Sequence, residues 1–140
     1  MATIQIKNLG PIKDTGLINL TDVLLVIGRQ SSGKSTFMKV LCFCRWIEKK
    51  IMTSFENTIY AYTHNNRFTR DLKQFYRIDE MYFKEGTEII YDGDVVTISL
   101  TGVDQNAKIN RKLEAWEDRY NSKLSYIPAE RNLVSAVQNI

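Results

Sequence analysis

The sequence predicts a mixed α/β domain, and three patterns along the chain support this fold class. Residues 23–27 form an uninterrupted apolar run rich in branched side chains, which is typical of a strand buried on both faces of a sheet. After a loop, residues 33–51 carry apolar side chains at helical spacing, with lysines outside the apolar arc. Farther along, residues 87–91 and 94–100 flank Asp92-Gly93, which predicts a β-hairpin. Strands and helices mixed in this way indicate an α/β domain.

Length and composition predict one domain with its own core. The chain has 140 residues, 44% of them hydrophobic, and no apolar run long enough to cross a bilayer. Its first residues lack the basic region and apolar stretch of a secretory signal, so we expect a cytoplasmic location and no membrane partner. The net charge of +3 is too small to indicate nucleic-acid binding by itself. Cys42 and Cys44 would point in different directions on a helix, so we predict neither a disulfide between them nor a metal site, and we expect Cys44 in the core.

Two short strands are predicted ahead of the buried apolar run. Residues 3–7 alternate apolar and polar side chains, and residues 16–20 carry a second strand pattern. The residues between them favour turns, namely Asn8, Gly10, Pro11 and Asp14-Thr15-Gly16. We therefore expect an antiparallel pair that leads into the strand at residues 23–27.

The loop at residues 28–35 matches the phosphate-binding pattern G-x-x-x-x-G-K-[ST] in full. In such a loop the backbone N–H groups form an anion nest, the lysine reaches the β- and γ-phosphates, and the following hydroxyl binds Mg²⁺. We expect these roles for Lys34 and Ser35, with Thr36 at the α-phosphate where the helix dipole adds positive charge. The predicted nucleotide site consists of Gly28, Arg29, Gln30, Ser31, Ser32, Gly33, Lys34, Ser35 and Thr36, and its expected ligands are a nucleotide, which the family resemblance below makes ATP, and Mg²⁺.

Two more amphipathic helices are predicted. From residue 66 to residue 77 an apolar face and a basic face run side by side. The apolar face consists of Phe68, Leu72, Phe75 and Tyr76, and the basic face of Arg67, Arg70, Lys73 and Arg77. We favour a solvated basic face over a surface for DNA or another partner, and the alternative stays open. The other helix is predicted at residues 107–121, where apolar residues recur every three or four positions: Ile109, Leu113, Trp116 and Tyr120.

Beyond these patterns, the chain resembles the opening of the ABC-type ATPases. The resemblance is carried by residues 6–14, by Val26-Ile27-Gly28 and by Ser32-Gly33-Lys34-Ser35-Thr36. Within that family it is similar to the bacterial AAA-named ATPases, which resemble RecF, the OLD nucleases and the structural-maintenance-of-chromosomes proteins. It implies a P-loop NTPase fold, as the N-terminal lobe of an ABC-type ATPase domain with an antiparallel β subdomain. It also implies ATP hydrolysis by a full-length parent at the head-to-tail interface of a homodimer, in DNA repair or defence, with DNA as a further partner.

Residues 124–132 resemble the strand end that leads into the Q-loop of these ATPases. No glutamine stands there, and the resemblance places Glu130 toward the metal through water and Arg131 toward phosphate or a neighbouring subunit. Glu130 is thus a catalytic candidate beside Lys34, and the alternative is that Glu130 and Arg131 only solvate a loop or cap a helix. No apolar strand ending in an Asp-Glu pair and no Leu-Ser-Gly-Gly motif follows Ser35. We therefore expect residues 1–140 to be a single partial ATPase domain, truncated before the Walker B and signature motifs, with little hydrolysis of its own.

The loop departs from the family pattern at three positions. Arg29 and Gln30 stand where Pro-Asn is usual, and Ser31 stands where glycine is frequent, so we expect a less firmly preformed loop. Two other functions stay open. A P-loop nucleotide kinase would use the same loop, and a non-enzymatic domain would dock DNA or a protein through the basic face at residues 67–77.

Overall fold

The computed structural model describes residues 2–21, 33–53, 58–78, 80–102 and 106–112. These residues form a mixed α/β structure with an antiparallel sheet, which confirms the predicted class at this level. The strands are β1 (Thr3–Leu9), β2 (Ile12–Asp14), β3 (Ile18–Asn19), β4 (Phe83–Asp92), β5 (Val96–Thr101) and β6 (Lys108–Arg111). The helices are α1 (Lys34–Thr53), α2 (Thr58–Thr63) and α3 (Arg67–Tyr76), and a 3₁₀ turn covers Glu80–Tyr82.

Strand β1 organises the N-terminal side of the sheet. The strand order is β2-β1-β4-β5-β6, and β3 also pairs with β1. Because β4 takes one edge of β1, β2 and β3 share the other edge, where Lys7 pairs with Asp14 and Thr3 pairs with Asn19. The predicted antiparallel arrangement of the N-terminal strands is confirmed, although β2 forms within the segment that was expected to be a turn.

One face of the sheet is apolar and lies against the core. Residues in register form rows across the strands, and two such rows are Ile4, Tyr91, Ile98 and Ile109, and Ile6, Ile89 and Leu100. All members of both rows are buried. Burying an isoleucine of this kind stabilises the fold by about 1.5–3 kcal/mol relative to exposure. The opposite face is polar, as the register partners Lys7, Glu88 and Thr101 illustrate.

Helix α1 forms the centre of the helical layer. Its apolar stripe buries Val40, Phe43 and Ile47 completely. The ring centroid of Phe43 lies 5.0 Å from that of Phe68 on α3 and 6.2 Å from that of Tyr62 on α2, both in edge-to-face geometry. The helices predicted at residues 33–51 and 66–77 are confirmed, with the observed bounds of α1 and α3.

The helix predicted at residues 107–121 is wrong in the part that the structure describes. Lys108–Arg111 is strand β6, which pairs with β5 through Ile109 and Ile98. Burial alternates along residues 107–110, so this short stretch follows the two-residue period of a strand. The edge of β5 supplies hydrogen-bond partners, and this tertiary pairing overrides the helical spacing. The rest of that prediction, and the strands predicted at residues 23–27 and 124–128, lie outside the described residues.

The two cysteines are both free and buried in α1, which confirms the expected core position of Cys44. Burial raises the pKa of the Cys42 and Cys44 thiols, so both stay protonated and unreactive at neutral pH. Within the described ranges, no helix has the length and apolar character needed to cross a membrane.

Candidate functional site

Part of the predicted nucleotide site lies in the region that the structure describes. This part comprises Gly33, Lys34, Ser35 and Thr36, at the start of α1. The remaining predicted positions, Gly28, Arg29, Gln30, Ser31, Ser32, Glu130 and Arg131, lie outside the described residues. The geometry therefore bears on how the loop ends and how the helix begins.

Gly33 occupies a position that only glycine fits. Its φ is +100°, in a region that L side chains rarely adopt. It is buried, and a β-carbon added there would lie 2.5 Å from Cγ1 of Ile12 and 3.5 Å from Cγ of Pro11. Backbone conformation and packing against the β1–β2 hairpin therefore each require glycine at the second glycine of the motif.

Helix α1 begins at Lys34, immediately after this glycine. The N–H of Phe37 donates to the carbonyl oxygen of Gly33 at 2.8 Å, which closes the first turn. That turn contains no acidic residue, and Lys34 stands at its positive end. Because a cation there opposes the helix dipole, it costs about 0.3–1 kcal/mol. The first turn is thus unfavourable for an isolated helix and favourable for a bound anion.

The turn between β1 and β2, which contacts the end of the loop, is held by unusual backbone positions. Gly10 has a φ of +53°, and its N–H donates to the carbonyl oxygen of Tyr82 at 3.0 Å. A β-carbon on Gly10 would lie 2.5 Å from Cδ2 of the Tyr82 ring. Asn8, with a φ of +52°, lies at the bulge of β1 and donates from Nδ2 to the carbonyl oxygen of Gly86 at 3.0 Å. Two positive-φ positions therefore lie at or next to the β1–β2 turn, whose residues Pro11 and Ile12 are the neighbours of Gly33.

A buried carboxylate lies farther along α1. Glu48 is fully buried, its Oε1 accepts a hydrogen bond from the Tyr91 hydroxyl at 2.9 Å, and its Oε2 accepts one from the Val95 N–H at 3.1 Å. Nη1 of Arg45 lies 3.4 Å from Oε1 of Glu48 and 3.3 Å from Oδ2 of Asp94. Sequence reasoning misses this group. The available signal is an acidic residue inside the apolar arc of a helix, because such a residue needs buried partners.

The sequence predicts Gly93 as a turn residue, but in the structure glycine is required there because of its packing. It does not have a positive φ, and its N–H donates to the carbonyl oxygen of Val96 at 2.8 Å, so that Asp94-Val95 forms the tip of the hairpin. A β-carbon on Gly93 would overlap Oε2 of Glu48 and lie 2.6 Å from Cε1 of Tyr91. The predicted hairpin is confirmed, and its glycine makes room for a side chain of α1.

The basic face of α3 is paired with neighbouring acids at three of its positions. Nε of Arg67 lies 3.4 Å from Oδ2 of Asp71, and Nε of Arg70 lies 3.9 Å from Oδ1 of the same residue. Nζ of Lys73 lies 3.8 Å from Oε1 of Glu80. A shallow groove of about 380 Å³ follows this face and is lined by Asn66, Thr69, Arg70, Lys73, Gln74 and Glu80. Local pairing lowers the net positive charge of this face, which favours a solvated surface over a site for a polyanion.

In the part of the chain that the structure describes, no group of three or more His, Cys, Asp or Glu side chains is placed to hold a metal ion.

Comparisons with protein-family models, with curated proteins and with solved structures found no match to this chain. The candidate site is therefore defined by its sequence motif and by the geometry at the start of α1.

Proposed function

We propose that this chain binds ATP together with Mg²⁺ through residues 28–35 and the N-terminus of α1. The observation that carries the proposal is the conformation of Gly33, the second glycine of a complete G-x-x-x-x-G-K-[ST] motif. It has a φ of +100° in a place without room for a side chain, and the helix starts at the next residue. A tight bend that leads into a helix N-terminus is what a phosphate-binding loop needs.

Each site residue has a role that follows from its chemistry. The backbone N–H groups of residues 30–35 wrap the phosphates, and the Lys34 ammonium neutralises charge on the β- and γ-phosphates. Ser35 is exposed on the first turn of α1 and supplies a hydroxyl ligand to Mg²⁺. Thr36 is buried, so its contact with the α-phosphate comes from the backbone N–H.

The charges of the first turn support an anion at this position. No acidic side chain of that turn neutralises the helix dipole, and Lys34 adds a positive charge to it. A bound triphosphate offsets the unfavourable interaction of about 0.3–1 kcal/mol between Lys34 and the dipole, because it attracts both. It also gains charge-assisted hydrogen bonds, which are roughly twice as strong as neutral ones.

We extend the proposal to the family that the sequence resembles. The sheet is then the antiparallel β subdomain of an ABC-type ATPase lobe, and the strand predicted at residues 23–27 belongs to its P-loop fold. Hydrolysis then takes place where two ATPase heads form a homodimer around ATP, and Glu130 is the candidate that orients water near the metal. Residues 1–140 by themselves bind ATP and turn it over slowly.

Isothermal titration with Mg-ATP tests the proposal. We expect Lys34→Ala to abolish binding, because the variant loses the lysine whose ammonium neutralises the β- and γ-phosphates. Lys39→Ala is the matched control, since it removes a lysine from α1 beyond the first turn and should leave the affinity unchanged. Ser35→Ala should bind nucleotide but lose the dependence on Mg²⁺. Equal affinity of Lys34→Ala and the unaltered chain would end the nucleotide hypothesis.

The two other functions give different results in simple assays. A nucleotide kinase transfers the γ-phosphate to a nucleoside, whereas an ATPase releases it as free phosphate. Docking of DNA through the basic face of α3 predicts binding that weakens steeply with salt and needs no nucleotide. The ion pairs of Arg67 and Lys73 make this last function the less favoured one.

A further inference from the structure

We propose that Glu48 is a positioning residue for the phosphate site, because its hydrogen bonds to the β4–β5 hairpin set the register of α1 and thereby place Lys34 and Ser35. This inference rests on the proposed binding of ATP. Glu48 is 0% exposed, and its carboxylate accepts hydrogen bonds from the Tyr91 hydroxyl at 2.9 Å and from the Val95 N–H at 3.1 Å.

The hydrogen bonds of Glu48 restrict the rotation and the axial position of α1, which its apolar stripe restricts less. The apolar part of the buried face includes Val40, Phe43, Ile47 and Ile51. Hydrophobic contact is non-directional, so such a stripe tolerates small rotations and shifts of the helix at low cost. A carboxylate bound by a phenol on one oxygen and by a backbone amide on the other restricts the rotation and the axial position of α1 more than apolar contact does.

The hairpin is shaped to receive this side chain. The absence of a β-carbon on Gly93 leaves the space that Oε2 of Glu48 occupies. Arg45, one turn earlier on α1, links Glu48 to Asp94 with distances of 3.4 and 3.3 Å. Burial raises the pKa of the Tyr91 phenol, so its hydroxyl remains a donor at neutral and moderately alkaline pH. Two residues of α1 therefore hold the tip of one hairpin.

The buried hydrogen bonds between Glu48 and the β4–β5 hairpin are better explained by the need to fix the position of α1 than by a gain in the free energy of unfolding. A buried charge loses its hydration, and its replacement by well-packed apolar residues is often neutral or stabilising. The best-attested use of such groups is to fix a register. At the other end of α1, Gly33 packs against Ile12, so the helix is defined at both ends. Glu48 lies about 21 Å from Lys34 along the axis, and a rigid helix carries a shift of one end to the other.

Glu48→Gln removes the charge and replaces one acceptor oxygen by an NH₂ group, and Tyr91→Phe removes the hydroxyl that donates to Glu48; both substitutions change the shape of the side chain little. In titrations of the full chain, we expect each variant to bind Mg-ATP and tripolyphosphate about 10-fold to 100-fold more weakly, which is the loss expected when a shift of α1 breaks one charge-assisted hydrogen bond to phosphate. The double variant should lose less affinity than the sum of the two single losses, because both substitutions alter the hydrogen bond between Glu48 and Tyr91. If Glu48→Gln does not fold, Tyr91→Phe alone decides the matter.

Ile89→Val is the control for a general loss of stability. It shortens a fully buried side chain on the same strand as Tyr91 and leaves the hydrogen bonds of Glu48 in place. Urea midpoints identify the range in which all variants are folded. The inference is overturned if Ile89→Val weakens binding as much as Glu48→Gln does, or if Glu48→Gln and Tyr91→Phe bind like the unaltered chain. Failure of the proposed function would give a different result from failure of this inference. The unaltered chain and Lys34→Ala would then both fail to bind Mg-ATP and tripolyphosphate, and the proposed role of Glu48 would be refuted as well.

Discussion

Replacing Gly33 by alanine has a cost that follows directly from two observed features. The added methyl group would lie 2.5 Å from Cγ1 of Ile12, a distance at which one of the two groups must move. Forcing an extra carbon into a packed position costs about 1–3 kcal/mol. A non-glycine residue held at a φ of +100° adds about 1–3 kcal/mol of backbone strain. We therefore expect Gly33→Ala to lower the free energy of unfolding by about 2–6 kcal/mol, the sum of the two terms.

Urea denaturation followed by circular dichroism measures this loss, and Gly16→Ala separates its two parts. Gly16 also has a positive φ, of +66°, but a β-carbon there meets nothing within 4 Å. The Gly16→Ala variant should lose only the backbone part, about 1–2 kcal/mol. Equal losses in the two variants would refute the argument that Ile12 closes the space beside Gly33. A variant of Gly33 that stays folded should also bind Mg-ATP more weakly, because the loop end moves with Ile12.

Two further predictions concern high pH and the far edge of the sheet. Burial, together with a hydrogen bond to Asp71, raises the pKa of Tyr62 to about 12. An unfolded tyrosine ionises near pH 10, so the unfolded state loses its proton first and the free energy of unfolding should fall from about pH 10 to pH 12. Tyr62→Phe should remove this part of the fall in urea midpoints, and a pH profile identical to that of the unaltered chain would contradict the pKa. At the edge strand β6, Ile109→Ala should lower the free energy of unfolding by about 2–5 kcal/mol, because the side chain is only 7% exposed. Asn110→Ala, on the polar face, should change it by no more than about 0.5 kcal/mol. Similar urea midpoints for the two variants would contradict the alternation of buried and exposed residues along β6.

Sequence patterns predict correctly those elements whose periodicity and flanking residues indicate the same structure. Helix α1 has a long apolar arc that begins directly after a glycine, and both its type and its start follow from these features. The β4–β5 hairpin has branched residues on both arms, and residues 3–7 alternate cleanly along β1. In the candidate site, the motif predicts a glycine-dependent bend before Lys34, and Gly33 has the positive φ and close packing of such a bend.

Other features depend on partners that are distant in sequence. Strand β6 follows from the edge of β5, which a helical periodicity count does not include. The short strand β2 exists because β1 offers it hydrogen bonds, although its residues also favour turns. Glu48 and Gly93 are 45 positions apart in the printed sequence, and only their contact explains why one is a buried acid and the other has no side chain. No local pattern encodes such a pair.

The position of β1 between early and late partners has a consequence for biosynthesis. Its pairing with β2 and β3 involves neighbours in the chain, whereas its pairing with β4 joins Thr3 to Asp92. At about 5–20 residues per second, a ribosome needs roughly 4–18 s to deliver the second partner after the first residues have emerged. During that interval Ile4 and Ile6, which are buried in the finished molecule, lack the neighbours that β4 supplies, Tyr91 and Ile89. The nascent chain is therefore most vulnerable to aggregation, and most attractive to chaperones, before translation passes the β4–β5 turn.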